Sequence, residues 1–221
     1  DHNIADPSLS DYTLNFCTYS KVKKVYIVLD KGAKLEAPAP YKITKPVVFY
    51  GSSITQGACA SRPGCAYSAI LSRKYDFDYL NLGFSGCARG EKEMAEYIAG
   101  LDMSVFVYDY DHNAPTAEYL KQTHEPFFKI IREKHPDIPI ICMTRPNPNP
   151  IWEPEKRKEI IKQTVENAKA RGDKNVYYVD VSGYLEKHDV LNESIVDAAH
   201  PNDLGFYFMS LAVEEILKNI L

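Results

Sequence analysis

The chain has 221 residues, a formal net charge of −4 at pH 7, 45% hydrophobic residues and 25% charged residues. This length suits one domain of ordinary size with a small additional segment, and the composition is that of a globular chain with a substantial core. The acidic balance excludes a general nucleic-acid-binding protein, which carries a basic surface stripe. No apolar run approaches the ~18 residues that a membrane span requires, so no span is predicted.

The chain has five cysteines, so at least one of them lacks a disulfide partner within the chain. Cys59 and Cys65 lie six positions apart in a loop that contains Pro and Gly. An oxidising compartment would allow a small disulfide there, and whether the two residues pair stays open. Cys142 lies in the apolar run 138–143 and is interpreted as a buried hydrophobic residue. No C-x-x-C or Cys/His spacing indicates zinc, and neither a metal nor a cofactor is predicted.

The first part of the chain predicts a short N-terminal β segment. Between residues 12 and 29, Tyr12, Leu14 and Phe16 alternate with polar neighbours, and a β-branched run follows at 25–29. Residues 36–46 contain three prolines and resemble a linker. One or two strands cannot fold alone. We therefore expect residues 1–46 to pack on the main domain or to be the end of a β domain that lies upstream.

From residue 47 onward, predicted strands alternate with predicted helices. The strands are predicted at 47–50, 79–82, 104–109, 138–143 and 176–181. The helices are predicted at 66–74, 92–99, 117–134, 155–171 and 204–221. Strands separated by helices form right-handed crossovers and a parallel sheet that is covered on both faces. We therefore predict an α/β domain over 47–221, with three α/β/α layers around a five-stranded parallel sheet. Ligands of such sheets bind beyond the carboxyl ends of the strands.

The first strand leads into residues 51–57 (Gly-Ser-Ser-Ile-Thr-Gln-Gly), which predict a tight turn into a helix. Such a turn presents a hydroxyl and backbone N–H groups at the edge of the sheet. A phosphate-binding turn is the alternative. A P-loop, however, has a lysine after its last glycine, and none follows Gly57. Ser53 is therefore a candidate nucleophile.

The second and third strands are followed by turn-forming and polar segments. Residues 81–86 (Asn-Leu-Gly-Phe-Ser-Gly) carry two glycines, which are typical of a tight turn. Residues 108–115 (Tyr-Asp-Tyr-Asp-His-Asn-Ala-Pro) form a dense polar cluster. This cluster either caps the next helix with an Asx turn or places the Asn113 amide beside a developing oxyanion. Its acids and histidine match no established metal-ligand spacing.

Residues 197–202 (Asp-Ala-Ala-His-Pro-Asn) precede the last predicted helix, and Pro201 suits the start of that helix. A lone Asp or His in such a loop is commonly a cap or a surface group. A spacing of three residues, however, lets the Asp197 carboxylate reach Nδ1 of His200. That contact fixes the tautomer and leaves Nε2 free to take a hydroxyl proton.

These four segments, in this order, resemble the four sequence blocks of the SGNH (GDSL-like) hydrolase family. Residues 51–54 are similar to the block Gly-Asp-Ser-Leu, with Ser52 in place of the aspartate. The third block of the family reads Gly-Asn-Asp. Here His112 stands in place of the glycine and Ala114 in place of the aspartate. Residues 197–200 match the block Asp-x-x-His without departure, and the proline that follows it is present as well.

The resemblance implies a serine hydrolase with Ser53 as the nucleophile, His200 as its base and Asp197 as the residue that orients His200. It also implies an oxyanion hole formed by the backbone N–H groups of Ser53 and Gly86 and by the side chain of Asn113.

The resemblance covers about residues 47–221 and implies the flavodoxin-like fold of this family. Residues 1–46 fall outside it and resemble the end of the β-sandwich domain that precedes the hydrolase domain in some secreted bacterial members. We therefore expect a secreted or periplasmic bacterial protein, whose signal peptide would lie outside this chain.

Side chains on the loops expected beside Ser53 are candidates for substrate binding: Arg62, Tyr110, His112, Arg145 and Trp152. Aromatic rings stack on sugars, and arginines bind hydroxyls or an acidic group. The alternative is that these are surface arginines and aromatic residues that pack within loops. Residues 146–154 contain four prolines, which predict a stiff loop rather than a mobile apolar lid.

Taken together, these observations predict a serine esterase that removes short acyl groups, above all acetyl, from a carbohydrate through an acyl-enzyme on Ser53. The expected partner is a small-molecule or glycan ester substrate, without nucleic acid. Three alternatives stay open: a lipase or thioesterase of the same family, a non-catalytic carbohydrate-binding module, and a metal-dependent phosphoesterase. The last would use Asp109, Asp111, His112 and His200.

Overall fold

A five-stranded, entirely parallel sheet organises the computed structural model, which describes residues 10–221. In spatial order the strands are β2, β1, β3, β4 and β5. In chain order they are β1 (Ile43–Gly51), β2 (Phe77–Gly83), β3 (Val105–Asp109), β4 (Ile140–Met143) and β5 (Val176–Val179). β2 lies on one side of β1, and β3, β4 and β5 follow one another on the other side, so the direction in which strands are added reverses at β1. This is the switch point at which α/β sheets bind their ligands.

Helices cover both faces of the sheet and give the predicted three-layer α/β fold. They are α1 (Ser53–Gln56), α2 (Tyr67–Tyr75), α3 (Lys92–Ala99), α4 (Ala117–Lys134), α5 (Pro154–Ala170), α6 (Val181–Lys187), α7 (Leu191–Ser194) and α8 (Asp203–Leu217). The five long helical segments predicted from the sequence are all present. The helix entered by the turn at residues 51–57 is α1, whereas the short helices α6 and α7 were not predicted.

Two hydrophobic cores lie on opposite faces of the sheet. In β1, Val48 and Tyr50 join the core beneath α3, α4 and α5, whereas Val47 and Phe49 join the core beneath α2, α6 and α8. All four residues are fully buried. Since successive side chains of a strand point to opposite faces, a strand that is covered on both faces is apolar at every position. This explains the continuous run Val-Val-Phe-Tyr in the sequence.

The predicted end of the fifth strand is wrong by two residues. The strand ends at Val179 and α6 begins at Val181. The side chain of Asp180 accepts a hydrogen bond from the backbone N–H of Gly183 at 3.0 Å. An aspartate in this position caps a helix and so ends the strand.

The prediction of β structure at residues 12–29 is also wrong. Residues 10–42 contain no strand, and β1 begins at Ile43, inside the stretch interpreted as a linker. Apolar side chains of this segment lie in solvent, with Tyr26 78% exposed and Val28 92% exposed. A strand needs a partner for its backbone N–H and C=O groups, and no element within residues 10–221 pairs with this segment. Residues 1–9 of the predicted N-terminal region lie outside the described residues.

The five cysteines are free thiols, including Cys59 and Cys65. Cys142 is fully buried in β4, as predicted. None of the helices within residues 10–221 combines the length and the apolar character needed to cross a membrane.

Candidate active site

The carboxyl ends of the three adjacent strands β2, β1 and β3 meet at one edge of the sheet. Gly51, the last residue of β1, pairs with Gly83 of β2 on one side and with Asp109 of β3 on the other. A Cβ atom at Gly51 would overlap the Thr55 hydroxyl and the backbone of Asp109. The glycine therefore allows the loops that follow the three strands to lie against one another, and these loops carry three of the four segments identified in the sequence.

Ser52 and Ser53 have different surroundings although they are adjacent. The Ser52 hydroxyl accepts a hydrogen bond from the backbone N–H of Ile54 at 3.1 Å and is fully buried as the N-cap of α1. Ser53 is the first residue of the helix, and its Oγ lies 2.8 Å from Nε2 of His200. The cap holds one hydroxyl in place and leaves the other directed at the histidine.

A hydrogen-bonded chain links Ser53, His200 and Asp197. Nδ1 of His200 lies 2.8 Å from Oδ2 and 3.0 Å from Oδ1 of Asp197. A carboxylate only accepts hydrogen bonds, so this contact places the ring proton on Nδ1 and leaves the lone pair of Nε2 for the Ser53 hydroxyl. Burial alone would raise the pKa of Asp197, but the hydrogen bonds from the backbone N–H and the ring of His200 hold it below its usual value. The arrangement can therefore move a proton away from Ser53.

The loop that carries Asp197 and His200 is closed at its base. Ile195 and Pro201 form an isolated antiparallel bridge, and the backbone N–H of Val196 donates to the His200 carbonyl at 2.9 Å. Ala198 adopts a left-handed conformation with φ +63°, which turns the chain between the two functional side chains. This compact turn is how a spacing of three residues brings the carboxylate to the imidazole.

Asn113 joins the loop after β3 to the loop after β2. Its side-chain nitrogen donates to the Phe84 carbonyl at 2.9 Å, which leaves its second amide hydrogen free. Gly86 adopts φ +70°, and no other atom stands within 4 Å of the place a Cβ would occupy. Its backbone conformation, rather than a lack of space, therefore favours glycine there. A further hydrogen bond, from the Ser85 N–H to the Gln56 side chain at 2.9 Å, holds the same loop against α1.

His112 lies beside the Ser53–His200 pair. Its ring centroid is 6.0 Å from that of His200. Burial, assisted by the nearby positive charge of Arg145, lowers the pKa of His112 to about 4. The imidazole is therefore neutral at pH 7, and its Nδ1 is buried without a hydrogen-bond partner among residues 10–221.

Two predicted substrate-binding residues are buried, and those predictions are wrong for this structure. Tyr110 is 1% exposed, and its hydroxyl lies 2.6 Å from that of Thr123. Arg145 is 2% exposed, and its backbone N–H donates to Asp111 at 3.0 Å. Neither side chain presents a surface to a substrate.

Arg145 belongs to a buried ionic cluster that also includes Asp111 and Arg157. Nη1 of Arg157 donates to Oδ1 of Asp111 at 3.1 Å, and its Nη2 donates to the Ala114 carbonyl at 2.8 Å. Burial would raise the pKa of Asp111, but the two guanidinium groups hold it below its ordinary value. Arg157 was not among the residues predicted from the sequence. Its position on the apolar face of α5, four residues before the buried Ile161, was the available signal.

Trp152 and Arg62 are predicted substrate-binding residues that are exposed or partly exposed, and His112 is half-buried. The Trp152 side chain is 43% exposed, and its ring lies 5.8 Å from the guanidinium carbon of Arg145. Arg62 is exposed at the start of the turn 63–65. The loop of Trp152 also reaches the histidine loop, because the Asn147 side chain donates to the carbonyl of Ala198.

Asp109 is a second buried acid that sequence reasoning did not assign to the serine site. Its Oδ2 accepts hydrogen bonds from the hydroxyls of Thr55 at 2.8 Å and Tyr67 at 2.9 Å. Burial raises the pKa of Asp109 to about 7, although these two donors oppose the shift. The carboxyl group therefore links the end of β3 to α1 and α2.

The N-terminal segment also contacts α1. The Gln56 side chain donates to the Thr18 carbonyl at 2.9 Å, and the Tyr19 hydroxyl lies 3.5 Å from the carbonyl of Ser53. No motif in the sequence indicates this contact.

The two acids named for a metal-dependent phosphoesterase have separate sets of hydrogen-bond partners. Asp109 faces Thr55 and Tyr67, whereas Asp111 is enclosed by its two arginines. Within residues 10–221, neither acid belongs to a group of three closely placed metal-binding side chains.

The sequence profile of the GDSL-like lipase/acylhydrolase family matches residues 44–218. The chain belongs to this family. The family assignment and the five-stranded parallel sheet agree with the predicted SGNH hydrolase fold. No curated protein matches the chain.

Several solved structures share the fold of this family member. A protein from Bacteroides ovatus assigned as a GDSL-like lipase is 36% identical, with a TM-score of 0.72 over 84% of this chain and 55% of that chain. A salicylyl-acyltransferase from a tetracycline biosynthetic pathway is 22% identical, with a TM-score of 0.68 over 86% of this chain and 59% of its own. A family two carbohydrate esterase from Clostridium thermocellum is 18% identical, with a TM-score of 0.63 over 84% and 66% of the two chains. The chain thus spans little more than half the length of the first two.

Proposed function

We propose that this GDSL-like family member is a serine esterase that removes short acyl groups, above all acetyl, from a carbohydrate. The observation that carries the proposal is the hydrogen-bonded chain from Ser53 through His200 to Asp197 at the carboxyl edge of the sheet. A serine hydroxyl is a weak nucleophile and needs an adjacent base, and that base needs a group to orient it. The distances between Ser53, His200 and Asp197 support assigning them these three roles.

In the first half of the proposed reaction, the Ser53 oxygen attacks the ester carbonyl while Nε2 of His200 takes the hydroxyl proton. Asp197 stabilises the resulting imidazolium, and His200 then returns the proton to the departing alcohol. Water, activated by the same histidine, later releases the acid from Ser53.

The negative oxygen of the tetrahedral intermediate requires hydrogen-bond donors. We assign this role to the backbone N–H groups of Ser53 and Gly86 and to the free amide hydrogen of Asn113. One such donor contributes about 10²–10³-fold to the rate in other hydrolases. The bond from Asn113 to Phe84 supports the assignment, since it fixes the amide before a substrate arrives.

The proposal of a short acyl group rests on the surroundings of Ser53. The loops that flank it are rich in polar residues and proline, and His112 stands next to His200. A lipase needs a broad apolar surface for a long acyl chain, and many lipases cover it with an amphipathic helix. In residues 10–221, the helices between the strands pack on the sheet.

The proposal of a carbohydrate alcohol rests on two observations. The exposed face of Trp152 is suited to stacking on a sugar ring. In addition, structures with the same fold include a family two carbohydrate esterase in complex with cellohexaose and a two-domain esterase active on acetylated mannans.

A panel of esters tests the proposal. We expect kcat/KM to fall from p-nitrophenyl acetate through butyrate to octanoate, and acetate to be released from acetylated xylan or mannan. The Ser53→Ala variant is the control for spontaneous hydrolysis. A steady rise towards octanoate would favour a lipase or thioesterase. Absence of hydrolysis of every ester, combined with binding to a glycan, would favour a carbohydrate-binding module.

A further inference from the structure

The turn that follows α1 brings a cysteine to the histidine loop. Metal-binding atoms of Cys59, Asp197 and His200 all lie within 4.8 Å of one another, and no other group of this kind occurs within residues 10–221. We propose that these three side chains form a zinc site whose occupation inhibits the enzyme. Zinc binding requires only the three side chains. The inhibition rests on the proposed esterase function.

The protein backbone holds Cys59 in this position. Its φ of +66° is left-handed, a conformation that costs free energy for a residue with a side chain. The turn around it is fixed by hydrogen bonds from Ala58 N–H to the Ser53 carbonyl at 2.9 Å and from Ala60 N–H to the Gly57 carbonyl at 3.2 Å. These contacts tie the cysteine to the nucleophile helix.

The same turn is also tied to the helix that follows His200. The backbone N–H and the hydroxyl of Ser61 both donate to the Asp203 carboxylate, the first of them at 2.8 Å. Asp203 is the first residue of α8 and lies three positions after His200. The cysteine and the histidine are therefore held on neighbouring, mutually bonded segments, which preorganises their side chains.

The three donors suit zinc. Cysteine sulfur, histidine nitrogen and carboxylate oxygen bind Zn²⁺ at about 2.0–2.3 Å, and three protein ligands with one open position are common. In a tetrahedral site these bond lengths separate the ligand atoms by about 3.3–3.7 Å. The Asp197 oxygen and Nδ1 of His200, now 2.8 Å apart, must therefore move slightly apart, and the Cys59 sulfur must lie within about 3.7 Å of both. Cys59 and Asp197 are exposed, so rotation of their side chains can make this adjustment while the backbone stays in place. The thiol releases its proton to solvent on binding, and the two anionic ligands balance the charge of the ion.

Zinc in this position would block the proton transfer. Nδ1 of His200 is the ring nitrogen that faces Asp197. When its lone pair binds the ion, the proton of the neutral imidazole resides on Nε2. That nitrogen can then only donate to Ser53 and cannot accept the hydroxyl proton. A bond from Asp197 to zinc would also replace the hydrogen bond by which its carboxylate orients His200.

Zinc titration of the esterase activity tests the inference, with Cys59→Ser as the informative variant and Cys65→Ser, in the same loop, as the matched control. We expect wild type and Cys65→Ser to lose activity at the same zinc concentration and to recover it when a chelator is added. We expect Cys59→Ser, measured against its own zinc-free rate, to need at least ~10-fold more zinc, because even groups that only support a ligand change affinity by that factor. Equal inhibition of both variants would overturn the proposal.

A second measurement is independent of catalysis. Calorimetry on Ser53→Ala should show one zinc ion bound per chain, and Co²⁺ should give a thiolate-to-metal charge-transfer absorbance that Cys59→Ser removes. Failure of Ser53→Ala to bind zinc would overturn the site whatever the enzyme does. Zinc binding by a protein that hydrolyses no ester would leave the site standing and would contradict the proposed function instead.

Discussion

At the scale of single residues, two adjacent serines differ in role: Ser52 caps a helix, and Ser53 is the proposed nucleophile. The Ser52 hydroxyl satisfies a backbone N–H at the start of α1, and the Ser53 hydroxyl faces His200. Substitution of either by alanine removes one oxygen atom, so the two variants differ only in which of these contacts is lost.

We expect Ser53→Ala to fold normally and to reduce esterase turnover by about 10⁴–10⁶-fold, as deletion of an activated nucleophile does. Ser52→Ala should retain most of the activity but unfold at a lower denaturant concentration, since loss of an N-cap costs about 1 kcal/mol. Ester hydrolysis and urea denaturation of both variants check the pair. If Ser52→Ala abolished activity while Ser53→Ala retained it, the assignment of the nucleophile would be wrong.

The local parts of the site could be predicted from the sequence because the signals are local. The turn at residues 51–57 follows directly after a strand, and Asp197 reaches His200 within a single turn of chain. The position of Tyr110 could also have been predicted from the alternation of β3. Phe106, Tyr108 and Tyr110 lie on the same side and enter the same core.

At the scale of secondary-structure elements, the buried Asp109 couples strand β3 to helices α1 and α2. Its carboxyl group accepts the hydroxyls of Thr55 on one helix and Tyr67 on the other. No sequence signal indicates these hydrogen bonds, because they depend on the side-chain orientations of Asp109, Thr55 and Tyr67 in the folded protein.

The raised pKa of Asp109 predicts a pH dependence of stability. Its pKa is about 7 in the folded protein and ~3.9 in an unfolded chain. The folded state therefore holds a proton that the unfolded state has lost between these values. The stabilisation is complete below about pH 4 and disappears as the pH rises through about 7.

We expect Asp109→Asn, which keeps an oxygen that can accept both hydroxyls, to remove this contribution. As the pH rises from 5 to 8.5, the free energy of unfolding of wild type should fall relative to that of the variant. Urea denaturation at several pH values measures it. Asp102→Asn, at a side chain that is 70% exposed, serves as the control. A difference independent of pH would contradict the prediction.

The segment at residues 10–42, which contains no strand, shows the limit of prediction from periodicity. Its alternation of apolar and polar residues is typical of a strand, but a strand is defined by its partner. Side chains such as Val28, which is 92% exposed, bury nothing within residues 10–221. Alternation of apolar and polar residues indicates which side chains would share a face of a strand. It does not show whether a neighbouring strand is present to pair with it.

At the scale of the whole molecule, the cluster of Asp111, Arg145 and Arg157 joins the loops after β3 and β4 to helix α5. These side chains are 1–2% exposed. Two cations share one carboxylate there, and charges removed from water are stable only when they are paired. These ion pairs thus fix the loops after β3 and β4 to α5. They were not predicted, because the three residues are far apart in the sequence.

We expect Asp111→Asn to lower the free energy of unfolding by ~3–5 kcal/mol, because it leaves two buried guanidinium groups without a counter-charge. The matched control is Arg171→Met, which breaks the exposed ion pair with Glu125 at 2.9 Å and should cost no more than ~1 kcal/mol. Chemical denaturation of both variants measures the two effects. Equal losses would show that the cluster is held by something other than its charges.

The distance along the chain between Ser53 and His200, 147 positions, has a consequence for the time course of folding. Ser53 lies at the turn from β1 into α1, whereas His200 lies three residues before α8 begins. Contacts between distant parts of a chain form late, after shorter loops have closed. We therefore expect a refolding chain to form its sheet before Ser53 and His200 meet, and the proposed esterase activity to return only when α8 has docked.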